Sequence, residues 1–178
     1  MIYDYAGQVF LLPSKIKVVD NRYMLDITIL AIGKIKEEYF KKACGEYLKR
    51  LSPYARISVE EIPYESFRHD GEKNKVKQKE GERIKKFLEK KGECEIFILD
   101  EHGKEYTSEQ FAQTIEKTSK PIVFVIGGSL GMSEEVLSLS HKKITLSSFT
   151  FPHELVRVVL FEQLYRAITI INGKTYHY

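Results

Sequence analysis

Pro121-Ile122-Val123-Phe124-Val125-Ile126-Gly127-Gly128-Ser129-Leu130-Gly131 is an unbroken apolar run that ends in a cluster of glycines. A short run without polar alternation reads as a strand buried on both faces, as in a parallel sheet. Glycines directly after such a strand let the backbone approach a ligand closely. They equally suit a plain tight turn, and both readings stand on this stretch alone. No Gly-Lys-Ser/Thr follows, so the loop is not a P-loop, and the glycine spacing is not that of a dinucleotide fold.

The pattern repeats on both sides. Ile96-Phe97-Ile98-Leu99 is a second continuous apolar strand, followed by Asp100-Glu101-His102-Gly103-Lys104, read as a turn. Residues 25–32 form a first strand closed by Gly33-Lys34. Residues 37–51 carry Tyr39, Phe40, Ala43, Tyr47, Leu48 and Leu51 near the helical period. Residues 56–62 read as a strand, alternating Ile57 and Val59 and, out of step after Glu60-Glu61, Ile62, and residues 74–90 form a charged, mostly exposed helix with Val76, Ile84, Phe87 and Leu88 on its thin apolar side. Thr107 and Gln110 have capping-box spacing for a short helix, and Ser133 caps another. Residues 143–146 are the last strand. Thr150 is a candidate cap and Pro152 a first-turn residue for a final helix over 154–171, ended by Asn172-Gly173. Strands alternating with helices predict an α/β fold, a mainly parallel sheet with helices on both faces. Ligands in such sheets bind outside the carboxyl ends of the strands, here after Leu99, Ile126 and Leu146.

Composition narrows the class. The 178 residues suit one domain, with 43% hydrophobic and 30% charged residues. No apolar run is long enough to span a membrane. A net charge of +3 does not by itself imply an extended nucleic-acid groove. The lysines and arginines between Lys73 and Lys91 read as a solvated helix face, with contact to an RNA backbone as the alternative. Cys44 and Cys94 have neither zinc nor disulfide-scaffold spacing, which suits a reducing cytosol. Asp100 and Glu101 read as turn residues rather than metal ligands, so no metal is expected, and His69, His102 and His141 read as surface histidines. Residues 1–23 differ from the remainder: Val9-Phe10-Leu11-Leu12 is too short for a secretory core and Asp4 disrupts a basic leader. They read as an extension to a domain over 24–178, or as a small appendage packed on it.

The final helix is apolar nearly all round, with Leu155, Val156, Val159, Leu160, Leu164, Ile168 and Ile171. Such a helix is buried on several sides, which favours a subunit interface in addition to a core. Glu162 and Arg166 are spaced as an i,i+4 pair. Glu154 and Arg157 stand one turn apart, as a structural salt link or as part of a site. The terminal Tyr176-His177 matters only if it packs near the loops.

Five stretches in order carry a resemblance: Ile29-Leu30-Ala31-Ile32-Gly33-Lys34; Leu99-Asp100 with Gly103-Lys104; Phe124 through Gly131; Leu146 through His153 with Arg157; and Glu162-Gln163-Leu164-Tyr165-Arg166-Ala167 closed by Tyr176-His177. Together they resemble the RlmH-type (YbeA-type) SPOUT methyltransferases from Met24 to the end of the chain. The resemblance implies a C-terminal deep trefoil knot, a rare exception to the unknotted rule, and a homodimer in the cytoplasm. It implies S-adenosylmethionine as methyl donor, held by Leu99, Gly127, Gly128, Leu146, Ser147, Ser148, Phe149, Thr150 and Phe151. The implied reaction is methylation of N3 of the pseudouridine at position 1915 of 23S rRNA on the assembled ribosome. Candidate groups for removing the N3 proton or stabilising the anion are His153, Arg157, Tyr176 and His177, the last two completing the partner subunit's site. The alternatives are a non-catalytic ribosome-binding or RNA-binding protein on the same fold, a SPOUT enzyme with another RNA target and, last, a phosphate-binding hydrolase.

Overall fold

The computed structural model describes residues 24–176. Residues 1–23, with the expected extension, and His177 lie outside the described residues. The chain alternates β1 (Leu25–Ile32), α1 (Glu38–Leu51), β2 (Ala55–Ile62), α2 (Lys73–Lys91), β3 (Glu95–Lys104), α3 (Ser108–Glu116), β4 (Ile122–Ile126), α4 (Glu134–Leu137), β5 (Lys142–Ile144) and α5 (His153–Ile171). The five strands form one sheet in the order β2-β1-β4-β3-β5, and every neighbouring pair is parallel. This is the α/β architecture expected from the apolar runs.

The two-residue period of a strand explains why the central strands are apolar throughout. In β1, Ile27, Ile29 and Ala31 join a core with α1, α3 and α5, while Leu30 and Ile32 join a second core with α2 and α4. Likewise Ile122, Phe124 and Ile126 of β4 face the first core, and Val123 and Val125 the second. A polar residue on either phase would therefore be buried. Phe97 and Phe124 stack across β3 and β4 with ring centroids 5.1 Å apart, anchoring the larger core. Full burial of one such side chain stabilises by about 1.5–3 kcal/mol. Thr107 and Gln110 form the expected capping box on α3, and Ser133 caps α4.

Three local expectations are corrected. The segment 100–104 is not a turn: β3 runs on to Lys104, and a register shift lets both Leu99 and Lys104 pair with Ile144. Gly103 permits this, since a Cβ there would meet the Ile144 backbone at 2.5 Å. Thr150 does not cap α5; Pro152 is the N-cap, with no side-chain cap bond. Its extended ψ of 137° puts it just outside the helix rather than in the first turn. The charged helix α2 is also less exposed than its composition suggests, because Glu80 and Gly81 are buried beside Val76, Ile84 and Leu88. Several of its cations are neutralised, with Lys73 on Asp70, Lys79 and Arg83 on Glu65, and Lys85 on Glu135.

Candidate active site

Strand register brings the three expected loops to one edge. Leu99 pairs with Ile126 on one side and Ile144 on the other, so Leu99, Gly127 and the segment after Ile144 emerge together. The β3 extension then fixes the last loop: Thr145 donates its backbone N–H to the Lys104 carbonyl at 3.1 Å. Within the loop, Thr145 Oγ1 donates to the Ser147 carbonyl at 2.8 Å and Phe149 N–H donates to Ser147 Oγ at 3.0 Å. The backbone N–H groups of Leu146, Ser147, Ser148, Thr150 and Phe151 make no hydrogen bond among the described residues. A loop shaped by its own hydroxyls, with free backbone donors, suits a ligand presenting several acceptors, such as an adenine edge and ribose. Leu99 and Leu146 are half-buried walls. Phe149, expected as a further wall, is 78% exposed.

The glycine cluster resolves into both of its readings. Gly131 N–H bonds the Gly128 carbonyl at 3.0 Å, and Gly131 has φ +76°, so residues 128–131 are a tight turn. Gly127 lies under Met132, whose side chain a Cβ would meet at 2.9 Å. Gly128 faces Ile32 and Glu80, each 3.1 Å from where a Cβ would sit. It therefore adjoins β1 and α2 as well as the loops after β3, β4 and β5.

At the start of α5 the side chains diverge. His153 lies over Gly33, its Nε2 3.7 Å from the position of a Gly33 Cβ. Burial, and then the Arg157 charge, hold its pKa below the usual imidazole value, with Glu154 opposing. The ring is thus biased towards the neutral form, which can accept a proton. Glu154 does not pair with Arg157. Its Oε2 accepts the backbone N–H groups of Lys36 at 2.9 Å and Glu37 at 3.2 Å, clasping the start of α1. Burial pushes the Glu154 pKa up, but these N–H groups and the neighbouring cations outweigh it and the net direction is down.

Arg157, expected to face substrate, points inwards. It is 1% exposed. Nη1 donates to Glu61 Oε1 at 2.7 Å, and Nη2 donates to the carbonyls of Ile32 and Gly33. Its Nε is buried without a partner. The residue welds α5 to the carboxyl ends of β1 and β2. Tyr176 folds back along α5, donating its hydroxyl to Glu162 Oε2 at 3.0 Å and meeting the Tyr165 ring edge-on at 4.8 Å. Arg166 completes the expected pair with Glu162 at 2.6 Å and lies over the Tyr176 ring. Tyr176 thus packs about nine residues, roughly 13 Å of helix rise, along α5 from His153.

Sequence reading missed Glu61, Glu80 and the close approach at Gly103. Glu61 and Glu80 lie in charged stretches that carry no motif. The only local signal was Glu60-Glu61 breaking the alternation of β2. Among the described residues no three His, Cys, Asp or Glu side chains form a metal-holding group, and no helix is long and apolar enough to cross a membrane.

Comparison with known proteins identifies the family. Residues 25–177 match the family model described as "Predicted SPOUT methyltransferase". The ribosomal RNA large subunit methyltransferase H of Carboxydothermus hydrogenoformans is 44% identical over 160 residues, covering 86% of this chain and 99% of that protein. The protein of the same name from Clostridium botulinum strain Kyoto has the same identity and coverage. Among solved structures, the probable methylase family protein of Haemophilus influenzae Rd KW20 superposes with a TM-score of 0.52 at 14% identity, over 86% of this chain and 71% of that one. The parallel sheet with its cluster of strand-end loops is the scaffold of an α/β methyltransferase. The chain belongs to the SPOUT methyltransferase family.

Proposed function

We propose that this protein is a large-subunit rRNA methyltransferase that uses S-adenosylmethionine to methylate N3 of pseudouridine 1915 in 23S rRNA on the assembled ribosome. The observation that carries this reading is the 44% identity to ribosomal RNA large subunit methyltransferase H over nearly its whole length. The donor-loop motifs of that kinship also converge at the carboxyl ends of β3, β4 and β5.

Leu99, Gly127, Leu146 and the free backbone groups of residues 146–151 are suited to hold the donor, with Ser147, Ser148, Phe149, Thr150 and Phe151 in the same loop and Gly128 at its border. When bound, the donor supplies an activated methyl, whose bond to sulfur breaks as the bond to N3 forms and whose electron pair returns to sulfur. The protein's task is position and removal of one proton. His153, biased towards its neutral form at the border of the donor loops, is our candidate to take the N3 proton. Arg157 has the role of a positioning residue, holding α5 and hence His153 against Gly33.

A homodimer is part of this reading. The half-exposed Leu155 and Val159 of α5, which do not join the core of their own subunit, support a second subunit, and we read Tyr176 and His177 as completing the partner's site. The knotted thread belongs to it too: β4 lies between β1 and β3, β5 lies beyond β3, and α5 returns against α1 and α3. We read residues 24–178 as the whole domain, residues 1–23 as an extension, and the cytoplasm, where ribosomes are found, as its location. Mass spectrometry of 23S rRNA from cells with and without the gene tests the assignment. Loss of the N3 methyl in the deletion strain is expected, and an unchanged methyl overturns it. Calorimetric binding of adenosylmethionine separates the enzyme from a non-catalytic RNA-binding protein.

A further inference from the structure

A cavity of about 220 Å³ opens beside the donor loops, between the carboxyl ends of β1 and β4 and helix α2. It shares Gly128 and His153 with the site above. Drug-sized ligands take roughly 300–1,000 Å³, so this volume suits one flat ring rather than a whole nucleotide. Resting on the reaction proposed above, we infer that this cavity receives the flipped target base, and that Glu80 reads the N1–H that distinguishes pseudouridine from uridine.

The walls have the chemistry of a base pocket. Tyr64 and Phe67 line it and remain 60% and 38% exposed, with the Lys36 ammonium 5.6 Å from the Tyr64 ring centroid. Exposed rings beside a cavity offer stacking faces for an unpaired base. The loop carrying them is braced before any ligand arrives. Arg83 donates to the Pro63 carbonyl at 2.9 Å and to Glu65 at 2.6 Å, and Lys79 donates to Glu65 at 2.7 Å. Lys34 and Lys36 also line the cavity, where cations meet the flanking phosphates. A base extruded from an RNA loop needs both features: a stacking surface for the ring and charge for its backbone.

Glu80 is the unusual member. It is 5% exposed and makes no ion pair among the described residues. Oε1 accepts the Glu65 N–H at 2.9 Å, and Oε2 faces Gly128, where any Cβ would stand 3.1 Å from it. Burial raises its pKa, while the Glu65 N–H and the nearby Arg83 charge favour the carboxylate form. The Arg83 guanidinium, however, donates to Pro63 and Glu65, and a buried carboxylate oxygen with no donor is costly. Uridine is joined to ribose through N1 and has no hydrogen there. Pseudouridine is joined through C5, which leaves N1–H free as a donor. A carboxylate acceptor in the base pocket therefore rewards the isomer and leaves uridine without that bond. Sites built around such a bond discriminate strongly against analogues that lack it.

The test compares the wild type with Glu80→Gln and Tyr64→Ala. The substrates are ribosomes carrying pseudouridine at the target and ribosomes from cells lacking the synthase, which carry uridine there. Methyl incorporation gives kcat and KM, and calorimetry gives the adenosylmethionine Kd. Glu80→Gln keeps an acceptor for the Glu65 N–H. It is expected to shrink the pseudouridine-over-uridine preference about tenfold, with the donor Kd within twofold of wild type. Tyr64→Ala, at an exposed position, is expected to raise KM about tenfold with the donor Kd likewise unmoved. The inference is overturned if both variants bind donor normally and keep wild-type KM and preference, or if Glu80→Gln lowers activity on both ribosomes equally. A wild type that binds no donor and methylates neither ribosome overturns instead the reaction on which the pocket rests.

Discussion

Arg157 and Glu61 stand 96 residues apart in sequence and are joined by a 2.7 Å ion pair at the carboxyl ends of β1 and β2. The arginine is fully buried and the carboxylate partly so, at 1% and 29% side-chain exposure. Three acceptors share one guanidinium fork, so the pair fixes where α5 begins relative to the sheet. Arg157→Met takes the guanidinium from Glu61, which keeps only the Ile35 N–H at 3.4 Å, and from two strand-end carbonyls, and is expected to cost about 3 kcal/mol. Arg157→Lys does not restore the fork. Urea midpoints check this, and a lysine variant as stable as wild type would show that charge alone suffices.

His153 should make stability depend on pH on the acid side. Its folded-state pKa lies below the unfolded value because burial and Arg157 disfavour the charged ring. Its contribution is therefore complete above the unfolded imidazole pKa and is lost as pH falls through the folded one. Replacement by Asn is expected to flatten the fall of the thermal midpoint between neutral and mildly acidic pH. NMR titration of the ring is the direct measurement, and a pKa at or above that of a free histidine contradicts the prediction.

Gly103 sits where the loop after β5 is tied to the end of β3. A methyl group there would stand 2.5–2.8 Å from the backbone of Ile144, so Gly103→Ala must push β5 away or bend the end of β3. Overpacking of this kind costs about 1–3 kcal/mol. Because Thr145 is tied to Lys104, the displacement should propagate into residues 146–151 and weaken adenosylmethionine binding at least tenfold by calorimetry. Unchanged affinity would mean that the loop does not depend on this contact.

Glu162 gathers the tail. Burial, and then the Glu162 carboxylate, push the Tyr47 phenol up to about 12, and Tyr176 is shifted the same way for the same reasons. Glu162→Gln is expected to bring part of the late-titrating phenolate absorbance to lower pH and to free Tyr176 from α5. A titration superimposable on wild type would exclude Glu162 as the cause.

Fold class was legible in the sequence because the relevant signal is local. In β1, β3 and β4 both phases of each strand are buried, so Ile96-Phe97-Ile98-Leu99 and Ile122-Val123-Phe124-Val125-Ile126 read directly as central parallel strands. The capping residues Thr107 and Ser133 were equally plain, since a cap involves neighbours within three residues. What the sequence by itself determined is therefore the alternation of buried strands and helices, the loops at their carboxyl ends, and the order of motifs that carries the family kinship. The tertiary structure decided the rest. Gly103 looked like a turn residue, yet its role is set by Ile144, more than forty positions later. Arg157 looked accessible beside a loop, yet Glu61 and two strand-end carbonyls draw it inwards. Glu80 sits in the highly charged helix α2, yet it is buried, with Glu65 and Gly128 packed beside it. Burial of a charge is a property of everything that surrounds it, and sequence spacing records only the neighbours along the chain.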